Sequence, residues 1–208
     1  MGEGNGRGES AENSVLKGVM LDGSLHVALK EWEVVCRAVL AGQQAILLRK
    51  GGIYEAAGEF ELEHSRFLLF PTLLHQKPDS VKPAWRDKIK RVDREPDTIT
   101  IRGWAEVFWI GRVPDRSSFD QLDDLHLWDK PFIDMRFNYR PDYPLYVLVL
   151  RGWILREPAT ITLDEQYAGC KSWVPLKEDI VLAGSRAVMP ETRLQNLRER
   201  IAQTFNAV

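Results

Sequence analysis

Two cysteines in 208 residues, Cys36 and Cys170, are too few and too far apart for a disulfide framework. Neither has the CxxC or CxxH partner of a structural zinc site, so both read as buried free thiols of a reducing compartment. Long hydrophobic runs are also missing: nothing approaches the roughly 20 apolar residues of a membrane span. Residues Met1 to Ser14 are rich in Gly, Glu, Asn and Ser without an apolar core, which excludes a signal peptide and predicts a disordered tail to about residue 20. No charge of one sign dominates. With 28 basic and 30 acidic residues the net charge is −2 and the pI about 6.1, which excludes a chain coated in positive charge but leaves room for a local basic patch. HExxH, the P-loop spacing, a Nudix glutamate run and internal repeats are all absent. These absences predict a soluble cytoplasmic protein with no membrane contact.

Aromatic residues are plentiful: seven Trp, eight Phe and five Tyr, the residues that dominate cores and binding surfaces. Leu25, Leu29, Trp32, Cys36 and Val39 recur at spacings of three and four, predicting a helix over 25–40 with Ser24 as cap and Gly42 as stop. Ala45 to Leu48, Phe60 to Leu62 and Phe67 to Phe70 read as short strands, the last ended by Pro71. Pro83 marks a helix start inside a segment from Lys77 to Arg94 with seven basic and three acidic residues, a local net of +4. Glu95-Pro96-Asp97 reads as a linker. Beyond it lie strand signals at 98–102, 105–113, 146–150 and 160–163, short helices at 119–127 and 131–139, and an amphipathic helix over 190–205.

The resulting expectation is an α+β fold. An N-terminal α/β unit (21–95), opened by a helix and continued by short strands, packs with a strand-rich, small-barrel-like unit (96–186) and a C-terminal amphipathic helix (187–208).

Polar groups gather at the ends of the apolar runs. Arg49-Lys50-Gly51-Gly52 follows a strand, and a glycine pair lets backbone N–H groups approach an anion while two cations supply charge. Arg49, Lys50, Gly51, Gly52 and Gln76 are therefore candidate phosphate binders; the plainer reading is a hairpin turn with solvated cations. Glu63, His64 and His75 form a candidate acid–base or ligand set if a hairpin brings residues eleven apart side by side. Locally hydrogen-bonded histidines are the alternative. No ligand motif supports a metal, and the sequence leaves the cofactor open. A restriction-type nuclease core would need an acidic-x-Lys pair, and Glu61 and Glu63 are followed by no such lysine. Arg151 with Trp153, and Lys171 with Trp173, could stack on a base beside a cation; packed core aromatics are the alternative.

Leu29-Lys30-Glu31-Trp32, Leu47 to Ile53, Phe67 to Thr72, His75-Gln76 and Gly169-Cys170-Lys171-Ser172-Trp173 together resemble an uncharacterised bacterial family, domain of unknown function 1802. The resemblance covers about Leu25 to Leu176. It implies an association with restriction-endonuclease-like domains, and so a tilt toward nucleic-acid biology. The second half also resembles small barrels of the PUA and ASCH type, which implies binding of RNA or modified bases. The leading expectation is a nucleic-acid-binding or -processing accessory module acting on DNA or RNA. Its alternatives are an enzyme using Glu63, His64, His75 and Arg49, or an interaction scaffold with an apolar stripe on its last helix. Oligomeric state and reaction type are not readable.

Overall fold

The computed structural model describes residues 23–50, 53–56, 59–169 and 171–206, with backbone alone for 53–62. Nine strands and five helices form an α+β fold in the order β1 (Ser24–Trp32), α1 (Glu33–Leu40), β2 (Ile46–Arg49), β3 (Ile53–Ala56), β4 (Glu59–Leu62), β5 (Arg66–Thr72), α2 (Pro83–Arg86), β6 (Thr98–Arg112), α3 (Arg116–Asp120), α4 (Lys130–Asn138), β7 (Tyr146–Thr162), β8 (Trp173–Val181), β9 (Arg186–Ala187) and α5 (Glu191–Asn206). Seven strands make one mixed sheet, ordered β2-β7-β6-β5-β1-β8, with β9 against β7. Strands β2 and β8 end that path without pairing to each other, so the described sheet is open rather than the small barrel expected. Strands β3 and β4 form a separate two-stranded ribbon.

The expected first helix is the main correction. Residues 24–32 form β1, parallel to β5 and antiparallel to β8, and only 33–40 are helical. Apolar residues at 25, 27 and 29 fit a period of two as well as one of three and four, so the pattern is ambiguous; a central position between two strands selects the extended form. Leu29 then faces one side of the sheet with Phe67 and Leu69, and Ala28 the other with Leu68 and Phe70. The helix expected at Pro83 lasts a single turn. By contrast, the run pairs at 98–102/105–113 and 146–150/160–163 are two long strands, β6 and β7. Bulges between Ile101 and Gly103 and between Val107 and Trp109 interrupt their ladder. Gly103 marks a close approach: a Cβ there would lie 2.3 Å from the Trp153 carbonyl oxygen and against Leu40.

One face of the sheet carries the larger core, covered by α1 and α5 and reaching Phe119, Trp128 and Ile133 of the α3–α4 region. The smaller core on the other face joins Ile99, Ile101, Trp104, Leu155, Tyr167 and Val174 to Leu68 and Phe70. The expected linker at 95–97 falls between β5 and β6, which are hydrogen-bonded neighbours, and both cores draw residues from each side of it. In α5, Leu194 and Ile201 are fully buried, so the apolar stripe lies against its own sheet. Among the described residues no helix is long and apolar enough to cross a membrane.

Candidate functional site

Where β1 and β5 end side by side (Trp32 paired with Thr72) a cleft of about 770 Å³ opens. Its walls are the ends of these strands, the 95–97 segment and the 163–172 loop. The loop is built for its place: Asp164 accepts from the Gln166 N–H at 3.1 Å, Tyr167 is buried, and Gly169 takes φ +80°, a conformation that favours glycine. Lys30 on β1 fastens the loop to the sheet by donating its ammonium to the carbonyls of Tyr167 and Gly169, while lying 5.7 Å over the Phe70 ring. Leu163 N–H donates to the Asp97 carbonyl at 2.8 Å and holds the other wall.

The aromatic residues of the cleft are Trp32, which is half-buried, and Phe70 and Tyr167, which are buried beneath it with ring centroids 5.7 Å apart. The lining carries five carboxylates, Glu31, Glu95, Asp97, Asp164 and Glu165, against Lys30 and Lys171. Glu31 is paired with Arg49 at 3.0 Å and accepts from the Trp32 N–H at 2.9 Å, and Asp164 is paired with Lys177. Lys177 holds the Asp164 carboxyl below its usual range.

His75 lines this cleft and also a second one of about 440 Å³, shared with Gln76, Asp79, Lys90, Arg91 and Asp93. Its φ of +65° places it in the left-handed region, which histidine tolerates better than bulky residues. The second cleft belongs to the basic segment. There Lys82, Arg86 and Lys90 pair with Asp123, Asp129 and Glu33, and Lys88 lies 4.0 Å over Trp85. Lys77, Arg91 and Arg94 are exposed and make no ion pair among the described residues.

The expected catalytic set does not share a hairpin. His64 precedes β5 and His75 follows it, so roughly 20 Å of extended chain separates their ends of the strand. His64 sits 3.6 Å from the Glu63 carboxylate and edge-on to Trp173 at 5.1 Å. Trp173 is also edge-on to Phe67, whereas Lys171 lines the cleft. No group of three or more His, Cys, Asp or Glu among the described residues is arranged to hold a metal.

Of the expected phosphate binders, Arg49 is engaged with Glu31 and Lys50 donates to the carbonyls of Arg136 (3.2 Å) and Phe137 (2.7 Å). Burial and then Arg136 lower the Lys50 pKa. Gln76 accepts from the Val34 N–H at 3.0 Å, capping α1 where Trp32 offers no side-chain oxygen. Gly51 and Gly52 lie outside the described residues, as does Cys170; Cys36 is a buried free thiol whose pKa burial raises.

Arg151 and Trp153 lie elsewhere, on β7. Arg151 bonds Glu106 on β6 at 2.7 Å and both oxygens of Glu191 on α5 at 2.7 and 2.8 Å, which keeps its pKa high. Trp153 stacks on Trp104 at 5.3 Å and 8°, and Arg66 caps Trp104 at 4.8 Å.

Sequence reasoning missed most of the cleft. Lys30, Glu31 and Trp32 fall within the helix expected over 25–40, and Phe70 within a short strand, while Tyr167 carries no signal of its own. The usable signal was the Asp164-to-Gly169 turn between two strands.

The matched family decides where the chain belongs: the model for domain of unknown function 1802 covers residues 28–200. The protein is a member of the DUF1802 family. No curated protein matches the chain. Among solved structures it is similar to ASCH from Zymomonas mobilis, at 14% identity over 83% of this chain and 93% of that one, with a TM-score of 0.38. A mutant of the same ASCH protein aligns at 13% identity over 84% and 94% of the chains, with a TM-score of 0.40.

Proposed function

We propose that this DUF1802 protein is a nucleic-acid-binding module that takes an unpaired base into the cleft at the ends of β1 and β5 and carries the backbone along the segment from Lys77 to Arg94. The supporting observation is that the two clefts meet at His75 while differing in chemistry. The first offers the half-buried Trp32 ring under a rim of carboxylates. A neutral heterocycle can lie against Trp32, a stack worth about 1–3 kcal/mol. A phosphate there would meet Glu95, Asp97 and Glu165, so backbone is turned to the His75 side, where Arg91 lines the second cleft beside Asp79 and Asp93, Lys90 is paired with Glu33, and Lys77 and Arg94 are exposed. The two halves thus orient a strand: base inward, phosphates outward. The restriction link implied by the family resemblance fits an accessory that holds a strand for a nuclease rather than cutting it.

Photo-crosslinking tests the reading. A short single-stranded oligonucleotide with one thio-substituted base, irradiated with the protein, should give adducts on peptides containing Trp32 or His75. Adducts confined to α5 or β9, or none at low salt, would overturn it.

A further inference from the structure

Among the described residues, three of the four exposed large hydrophobic side chains cluster in one nine-residue stretch: Met135 at 48%, Tyr139 at 49% and Tyr143 at 54%. They surround the turn that follows α4. Arg140 in that turn has φ +45°, a left-handed conformation that costs a non-glycine residue energy and persists only where the surroundings impose it. Its guanidinium lies 5.5 Å from the Tyr139 ring and 5.8 Å from the Tyr143 ring. Pro141 and Pro144 stiffen the same turn. The result is a preset Tyr–Arg–Tyr array whose rings keep half their surface in water.

A second observation lies beneath it. Arg49, Lys50 and Arg136 converge at the end of α4, where Lys50 grips the last carbonyls and Arg136 donates to the Leu48 carbonyl at 3.1 Å. Glu31 is the ion-pair partner of Arg49, and the Nε atoms of both Arg49 and Arg136 are buried without a hydrogen-bond partner. Burial and the neighbouring Arg49 push the Arg136 pKa down, as expected where positive charge is under-compensated. Asp142 acts on Lys50 from the turn itself, so three buried or half-buried cations and Arg140 face Glu31 and Asp142. The surface above them carries a positive field, which selects a polyanion over an acidic-poor apolar partner.

We propose that the turn at the end of α4 is a second contact for single-stranded nucleic acid, with Tyr139 and Tyr143 stacking on unpaired bases and Arg140 meeting phosphate. This rests on the nucleic-acid reading above, and it adds a surface that the cleft does not use. Trp32 connects the two: it lines the cleft and packs on Phe132 of α4 at 5.4 Å. A strand leaving the cleft over Trp32 reaches α4 next.

The test is fluorescence anisotropy with a labelled single strand of about twelve nucleotides and its duplex, for wild type, Tyr139→Ala/Tyr143→Ala, Tyr139→Phe/Tyr143→Phe and Lys77→Ala/Arg91→Ala. Both tyrosines are exposed, so circular dichroism should show the variants folded. Loss of each stack should weaken single-strand binding about 5- to 150-fold, with the phenylalanine variant near wild type and duplex binding little changed. Wild-type affinity in the alanine variant, or equal losses on strand and duplex, would overturn the proposal. If that happens while Lys77→Ala/Arg91→Ala still binds weakly, the nucleic-acid reading stands without the tyrosine contact. A wild type that binds no single strand at low salt overturns both.

Discussion

Arginine and aromatic rings meet at two places in this fold, with opposite outcomes. On the β6–β7 ribbon, Arg151 is held by Glu106 and Glu191, and Trp153 and Trp104 stack face to face under Arg66. The Arg151 charge is matched by two carboxylates and Trp104 is covered, although Arg151 Nε and Trp153 Nε1 are buried without partners, so the charge is spent within the protein: Arg151 ties α5 to the sheet. At the ends of β1, β2, β5 and α4 the same residue types are left incomplete. Arg49, Lys50 and Arg136 face only Glu31 and Asp142, Tyr139 and Tyr143 are half exposed, and the cleft beside them holds more carboxylates than cations. Residue type alone therefore does not mark a site. Exposed rings and unmatched charge do, and they gather around the Glu31–Arg49 pair.

Substitutions can break this comparison. The largest effect belongs to the completed region: Trp104→Ala removes a side chain that is 1% exposed and should cost about 4 kcal/mol by denaturant unfolding. Oligonucleotide affinity of the folded fraction should not change. Next comes Glu31→Gln, which leaves Arg49 and Arg136 without a carboxylate; with Glu31 and Arg49 side chains only 13% and 18% exposed, the loss should be about 3 kcal/mol. Adding Arg49→Met should recover part of it. If Glu31→Gln proves neutral in stability, the excess positive charge at α4 is already compensated.

His126 falls between the two regimes. It is buried, stacked on Phe119 at 5.1 Å, and has no hydrogen-bond partner on either ring nitrogen. Burial pushes its pKa down to about 4. A folded pKa below the unfolded value of about 6.5 means the unfolded chain takes up the proton first as pH falls. Stability is then fully present above about pH 6.5 and declines toward pH 4, by roughly 3 kcal/mol from this group. Unfolding of His126→Phe across that window should show a flatter profile; equal slopes would remove His126 as the cause. The smallest effect is Arg151→Lys, which keeps the charge and loses the fork. Because Glu191 is half exposed, less than about 1 kcal/mol should be lost in thermal unfolding, with no change in binding.

How far the sequence discloses this depends on which physics wrote it. Strands β2 and β5 were legible as short continuous apolar runs, Ile46 to Leu48 and Phe67 to Phe70, and α5 because burial on one face leaves a helical period from Leu194 to Ile201. Residues 24–32 were not, since a strand flanked on both sides carries apolar residues on both faces and satisfies a helical spacing by coincidence. The ring of carboxylates around the cleft comes from three separate segments, 31, 95–97 and 164–165, which only the fold brings together. Arg151-Gly152-Trp153 looked like a stacking motif because nothing in its own neighbourhood reveals Glu106 and Glu191. Conversely, Tyr139-Arg140 passed as a helix end, since exposure of a ring is set by what fails to cover it.

The central claim is tested most directly by anisotropy of a labelled single strand across a salt series, for wild type and Lys77→Ala/Arg91→Ala. Phosphate contacts release counterions, so the account predicts binding that weakens steeply with salt and a logarithmic slope shallower by about one to two in the variant. Binding that ignores salt, or a variant with the wild-type slope and affinity, would contradict a backbone path beside His75.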